Sequence, residues 1–173
     1  LSNLNGSNGF VINGIDAYNR SGISVSSAGD VNGDGIDDLI IGALFADPNS
    51  NTYAGESYVV FGSSSGLGSS LDLSSLNGSN GFVINGIDAY DRSGRSVSSA
   101  GDVNGDGIDD LIIGAFRADP NGKGRAGESY VVFGSSSGLG SSLDLLDLNG
   151  SIIYVCRGSA EDYYSGRSVS SAG

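Results

Sequence analysis

Asp30-Val31-Asn32-Gly33-Asp34-Gly35-Ile36-Asp37-Asp38 reads as a tight loop of oxygen donors, and the same nine letters return as Asp102 to Asp110, seventy-two positions later. Outward from this pair, residues 4–75 align with residues 76–147 without a gap and differ at ten positions: 19, 23, 44, 45, 50, 51, 52, 53, 74 and 75. A third copy begins at Leu148 and reaches Gly173, where the next acidic run would start. Self-similarity at a fixed period marks an array of one supersecondary unit.

Four short strands are predicted in each unit. In the first copy these are residues 22–28, small and alternating; Asp38-Leu39-Ile40-Ile41-Gly42-Ala43, an apolar run entered from the acidic loop; and Ser57-Tyr58-Val59-Val60-Phe61, β-branched and aromatic. The fourth is Gly9-Phe10-Val11-Ile12-Asn13, matched by residues 81–85 and 153–157. Asn-Gly and Asp-Gly steps, Asp47-Pro48-Asn49 and a serine-glycine tract over 62–70 punctuate them. No useful helical period is present, although residues 71–76 suit a short helical turn. Glycine supplies 30 of 173 residues, about 17% against a usual level of about 7%. With 38% apolar residues and no collagen-like triplet, that composition points to an all-β chain of many tight turns. Four strands per long period describe β-propeller blades of four antiparallel strands. Six of the ten differences fall in 44–53, which is therefore expected to be a surface hairpin without strict backbone demands.

Acids outnumber bases by 20 to 8, a formal charge of -12. Such a chain repels phosphate backbones and anionic lipid, which excludes nucleic acid as a partner class. No apolar run approaches the roughly 18 residues of a spanning helix, so no membrane insertion is expected in this segment. No signal peptide is visible, and targeting signals are expected to lie outside the segment. One cysteine, Cys156, excludes an internal disulfide, and the absence of histidine removes the usual zinc spacings. Cys156 stands where the earlier copies place Ile12 and Ile84, and is expected to be a buried small residue.

The eight aspartates of the two runs hold a large share of the acids in 18 positions, which points to cation binding rather than a solvated acidic face. A hard dication takes six to eight oxygens from carboxylates, amides and carbonyls. Alternate positions of a curled loop converge, so Asp30, Asn32, Asp34 and Asp38 are the expected side-chain ligands, with the Ile36 carbonyl between. Asp102, Asn104, Asp106, Ile108 and Asp110 repeat the set. Gly33 and Gly35 permit the curl. Asp37 and Asp109 alternate out and are expected to face solvent. Calcium is favoured over magnesium, which demands stricter octahedral geometry and keeps its water; one ion per complete blade gives two in this chain. An EF-hand loop opens the same way, but its twelfth position here is Ile41 rather than glutamate, and strands flank the run. Plain turns that bind nothing explain the glycines, not five donor positions falling into place twice.

The string Ser24-Val25-Ser26-Ser27-Ala28-Gly29-Asp30, the acidic loop, and then Asp38-Leu39-Ile40-Ile41-Gly42-Ala43 resembles an FG-GAP repeat, the blade of the integrin α-subunit propeller and its bacterial relatives. The resemblance implies that the loop joins the first two strands of a blade and holds calcium on the positions already named. The Phe-Gly half is replaced by Ser21-Gly22 and Ser93-Gly94, with Tyr18 or Tyr90 expected to take the packing place of the phenylalanine; the Gly-Ala-Pro half appears as Gly42-Ala43-Leu44 and Gly114-Ala115-Phe116. In that frame residues 1–20 are the outer strand of a preceding blade, 21–92 one blade, 93–164 a second, and 165–173 the inner strand of a truncated third. An incomplete propeller of about two whole blades leaves apolar faces that need further blades of the same chain or self-assembly. The function implied is an extracellular or cell-surface adhesion or recognition scaffold for a protein or glycan ligand, with structural calcium. The alternative is a non-catalytic propeller portion of a larger secreted hydrolase of the phospholipase kind.

The chain itself is expected to be no enzyme. Gly62-Ser63-Ser64-Ser65-Gly66 and its copy at 134–138 match a nucleophile elbow by letters, but the chain has no histidine base. Residues 122–127 match a dinucleotide fingerprint only by letters, with no helix following. The Asn-x-Ser sequons at Asn5, Asn19, Asn77 and Asn149 are expected by chance in so Ser/Asn-rich a chain.

Overall fold

The computed structural model describes residues 3–147 and 153–171. It is an all-β architecture, with regular helix limited to single 3₁₀ turns such as Pro48–Ser50, Leu73–Ser75 and Pro120–Gly122. The first full sheet runs β2 (Ser24–Gly29), β3 (Asp38–Ala43), β4 (Glu56–Val60) and β6 (Gly81–Asn85), each antiparallel to its neighbour. The second repeats it with β7 (Ser96–Gly101), β8 (Asp110–Ala115), β9 (Glu128–Val132) and β11 (Ile153–Arg157). These four-stranded antiparallel meanders have the form of propeller blades.

The tail between the third and fourth strands of each sheet does something the sequence pattern does not announce. In the second sheet it forms β10 (Ser142–Asp144), which leaves its own blade and pairs in parallel with β6, the outer strand of the blade before. In the first, β5 (Ser70–Asp72) pairs in parallel with β1 (Val11–Asn13). The expected helical turn over 71–76 is therefore half strand, half 3₁₀ turn. Each tail covers an outer edge that would otherwise present unpaired backbone groups, and it stitches consecutive blades together. Asn85 Nδ2 adds a hydrogen bond to Asp144 across this seam.

The core lies between blades rather than within one. Ile40, Val59, Phe82 and Ile84 of the first sheet pack with Val97, Leu111, Ile113 and Val132 of the second, and Leu145, just past β10, closes that layer. Ile41, Tyr58 and Val60 point the other way, into a second cluster with Leu73. Side chains alternate across a strand, so adjacent Ile40 and Ile41 serve opposite layers. A sheet covered on both faces reads as a continuous apolar run, which is why Asp38–Ala43 shows no polar alternation.

Several expectations are corrected. Cys156 is exposed. Its counterpart Ile84 is buried against the second blade, whereas among the described residues no third sheet covers Cys156. Residues 165–171, expected as an inner strand, form turns and extended chain without a strand ladder. Their backbone donors go to turns and a side chain rather than to a ladder: Arg167 N–H donates to the Tyr164 carbonyl at 3.1 Å and Ser171 N–H to Ser98 Oγ at 3.2 Å; residues 172–173 lie outside the described residues. Tyr18 and Tyr90 do not replace the missing phenylalanine: they are 91% and 57% exposed. Ser93 itself is buried in that position, beneath a chain so close that a Cβ on Gly55 would meet its backbone at 2.1 Å. Finally, the variable tract 44–53 does carry backbone demands, with left-handed φ at Asn49, Ser50 and Tyr53 and the Asp47 carboxylate accepting the Tyr53 N–H at 2.6 Å.

Candidate metal centre

Each acidic loop is the connection between the first two strands of its sheet. β2 and β7 end in a bulge, with a register shift between Ser27 and Gly29 and between Ser99 and Gly101, which bends the chain into the loop. The Asp30 carboxylate then organises the curl. Its Oδ1 accepts the N–H groups of Gly33 at 2.8 Å and Asp34 at 3.0 Å, and its Oδ2 accepts that of Gly35 at 2.8 Å. Asn32 Oδ1 accepts the Asp34 N–H and Asp34 Oδ1 accepts the Ile36 N–H, both at 2.9 Å. Asp102, Asn104 and Asp106 repeat this chain of bonds onto Gly105, Asp106, Gly107 and Ile108. Backbone N–H groups, led by that of Gly107, hold the Asp102 carboxyl below the usual aspartate range.

Asp38 and Asp110 stand apart from their loops. Both are buried, at the first residue of β3 and β8. Asp38 Oδ2 accepts the Val31 N–H at 3.0 Å and Oδ1 the Gly62 N–H at 2.8 Å, so it braces the loop against the chain leaving β4. Asp110 does the same for Val103 and Gly134. Burial pushes the Asp38 carboxyl up to about 6, against the opposing pull of the Gly62 and Val31 N–H groups and with help from Asp34 and Asp30. Burial likewise raises Asp110.

The structure thus gathers Asp30, Asn32 and Asp34 into one curl, and Asp102, Asn104 and Asp106 into the other. Ile36 and Ile108 lie in the same loops, and the ninth-position aspartates sit at the base. Among the described residues no three carboxylates converge closely enough to hold an ion by acids alone. The carboxylate oxygens are engaged by backbone N–H groups, as expected of like charges that repel one another. Asp30 Oδ1 and Asp102 Oδ1 accept two N–H groups each, whereas Asp30 Oδ2, Asp34 Oδ1 and both Asp38 oxygens accept one and keep a second lone pair. The donor set of carboxylates, one amide and a backbone carbonyl suits a hard, oxygen-seeking dication, and the left-handed φ of Gly33 and Gly35 (74° and 84°) supplies the curl that brings them together.

Sequence reasoning missed Asp109. Expected to face solvent, it is half-buried against the neighbouring loop, where its Oδ2 accepts the Asp30 N–H at 3.0 Å. Asp37, the same residue one repeat earlier, is exposed. Val31 is 2% exposed and its twin Val103 56%. The second blade covers the start of the first loop, at Asp30 and Val31; nothing among the described residues covers the same stretch of the second. The array itself held the signal: a side chain that alternates out of one loop in stacked repeats points at the neighbouring repeat.

The FG-GAP repeat family model matches residues 21–60 and 93–132, the first three strands of each sheet with their acidic loops. The chain is also similar to integrin alpha-5 of Xenopus laevis, 31% identical over 145 residues, covering 76% of this chain and 13% of that protein. Phosphatidylinositol-glycan-specific phospholipase D of Bos taurus is 34% identical over 125 residues, covering 72% of this chain and 14% of that protein. Integrin alpha-PS2 of Drosophila melanogaster is 31% identical over 142 residues, covering 80% and 9%. The chain therefore spans only a small part of the length of these relatives.

Proposed function

Because this chain is built of FG-GAP repeats with distant similarity to integrin α subunits and to a phospholipase D, we propose that it is a calcium-binding propeller module serving as an extracellular or cell-surface recognition scaffold. The observation that carries this reading is the duplicated curl in which one aspartate gathers three backbone N–H groups. Asp30, Asn32, Asp34 and Asp38 with the Ile36 carbonyl would hold one ion, and Asp102, Asn104, Asp106 and Asp110 with the Ile108 carbonyl a second. Bound there, calcium supplies positive charge that neutralises the crowded carboxylates and ties the two ends of each loop together.

The chain's own residues do the remaining work. Asp38 and Asp110 anchor the loops to the third strands, and the apolar layer between sheets fixes the loops relative to one another. A rigid frame of this kind presents the longer loops at the opposite ends of the strands as a surface for an extracellular protein or glycan. At ten times more free ion than Kd, binding adds about 1.4 kcal/mol of stability per site. Thermal unfolding in calcium and in chelator tests the reading: a higher midpoint in calcium is expected, and coincident melts would overturn it.

A second reading is supported by the similarity to the bovine phospholipase D. In it the module is a non-catalytic propeller portion of a larger secreted hydrolase, and calcium has the same structural role. The reading frame around this segment distinguishes the two.

A further inference from the structure

The two acidic loops are not independent units, and the asymmetry between identical sequences shows how they are joined. Three hydrogen bonds cross between the second blade and the first loop. Asp109 N–H donates to the Asp30 carbonyl at 3.1 Å, Asp109 Oδ2 accepts the Asp30 N–H at 3.0 Å, and Ser135 N–H donates to the Val31 carbonyl at 2.9 Å. The Ile108 side chain lies against Gly33, within 3.5 Å of where a Cβ would stand. Asp30 is thus clamped at both its backbone groups by one residue of the next repeat, while its carboxylate organises its own curl.

Gly29 makes room for the clamp. A Cβ there would meet Asp109 Oδ2 at 2.2 Å, whereas one at Gly101, the same position a repeat later, would meet nothing within 4 Å. Both glycines have the same left-handed backbone, φ 73° and 71°. The pair separates backbone strain, which they share, from eviction of Asp109, which only Gly29 would cause.

We propose that Asp109 is a positioning residue for the cation loop of the preceding blade, so that the eighth loop residue of each repeat sets the affinity of its neighbour's site rather than its own. The inference rests on the calcium reading and extends it: consecutive sites are coupled in one direction, through the Asp30 backbone. Charge-assisted hydrogen bonds from a backbone N–H to a carboxylate are strong enough for their loss to weaken binding at the first loop about tenfold.

The test is a site-resolved calcium titration of the whole chain by ¹H–¹⁵N NMR, following the amides of Gly33 and Gly105 as reporters of the two loops. Asp109→Ala is expected to raise Kd at the first loop about tenfold and to change the second by less than about twofold. Asp109→Asn keeps an oxygen that accepts the Asp30 N–H and should stay within about threefold of the parent. Asp37→Ala should move neither loop, and Gly29→Ala should weaken the first loop more than Gly101→Ala weakens the second. A loss at the second loop instead of the first overturns the proposal. So does Asp109→Asn falling as far as Asp109→Ala, because the effect would then be unbonded charge.

Hydrogen exchange of the Asp30 amide in chelator separates this proposal from the calcium reading. About tenfold faster exchange in Asp109→Ala supports the clamp whether or not metal binds, and unchanged exchange refutes it. Absence of any calcium shift in the parent protein overturns the metal reading and the coupling together.

Discussion

Val31 and Val103 occupy the same place in the same nine residues, and substituting each by alanine isolates what the next blade contributes. Val31 is 2% exposed, covered by the second blade, whose Gly134 approaches so closely that a Cβ would stand 2.9 Å from the Val31 carbonyl. Val103 is 56% exposed. Truncating valine to alanine removes two carbons, at about 0.8 kcal/mol per buried methylene, or about 1.6 kcal/mol at a fully buried position. A small cavity between the loop and the 134–136 turn brings the expected loss to about 2 kcal/mol. At Val103 more than half of that surface is already in water, and about 0.7 kcal/mol is expected. Urea unfolding followed by circular dichroism, in chelator so that metal binding does not enter, gives both numbers. Equal losses, or a larger loss for Val103→Ala, would refute the claim that the second blade buries the first loop.

Four further outcomes are expected. Asp91 is buried beside Asp88, Asp119 and Glu128, and burial first, then those charges, push its carboxyl from 3.8 to about 7. A folded pKa above the unfolded value means this group favours folding least when ionised, so stability falls as pH rises from about 4 to about 7 and then levels. Such a shift would amount to about 4 kcal/mol in a dry site; Asp91 lines a solvent-open cavity with Asp88, Asp119 and Glu128 that screens it, and Asp91→Asn, which restores the residue type of its counterpart Asn19, should stabilise by about 1–2 kcal/mol at pH 8 and little at pH 4. With Asp38 raised to about 6, protons compete for the first loop, and calcium affinity there should be about tenfold weaker at pH 5 than at pH 7.5, checked by calorimetry at the two values. Leu145 is fully buried where the β10 tail crosses to the first blade, and Leu145→Ala should cost about 3 kcal/mol in urea unfolding. Gly42→Ala should cost about 3 kcal/mol or more, because its Cβ would stand 2.0 Å from the Gly94 carbonyl oxygen, a backbone atom that cannot turn aside as the Ser24 hydroxyl at 2.4 Å can.

The strands were legible because their patterns are local. Asp38–Ala43, Gly81–Asn85 and Ile153–Arg157 begin and end where the turn residues place them, and the acidic curl follows from Asp-x-Asn-x-Asp with two glycines. What stayed hidden depends on the neighbouring repeat. The parallel crossing of Ser142–Asp144 onto Gly81–Asn85 joins residues 59 positions apart in chain order, as at Asn85 and Asp144, and nothing in Ser-Leu-Asp marks it. Asp37 and Asp109 carry one identical sequence context but two surroundings, as do Val31 and Val103. Burial of Cys156 was read by analogy with Ile84, whose cover comes from the next sheet rather than from its own strand. Identical repeats conceal such differences by their nature.

Calcium stoichiometry tests the account most directly. Equilibrium dialysis of the metal-stripped chain against labelled calcium is expected to give two ions per chain, one after Asp34→Ala, one after Asp106→Ala and none after both. Fewer than two ions in the parent, or retention of both by either single variant with its fold intact, would contradict it.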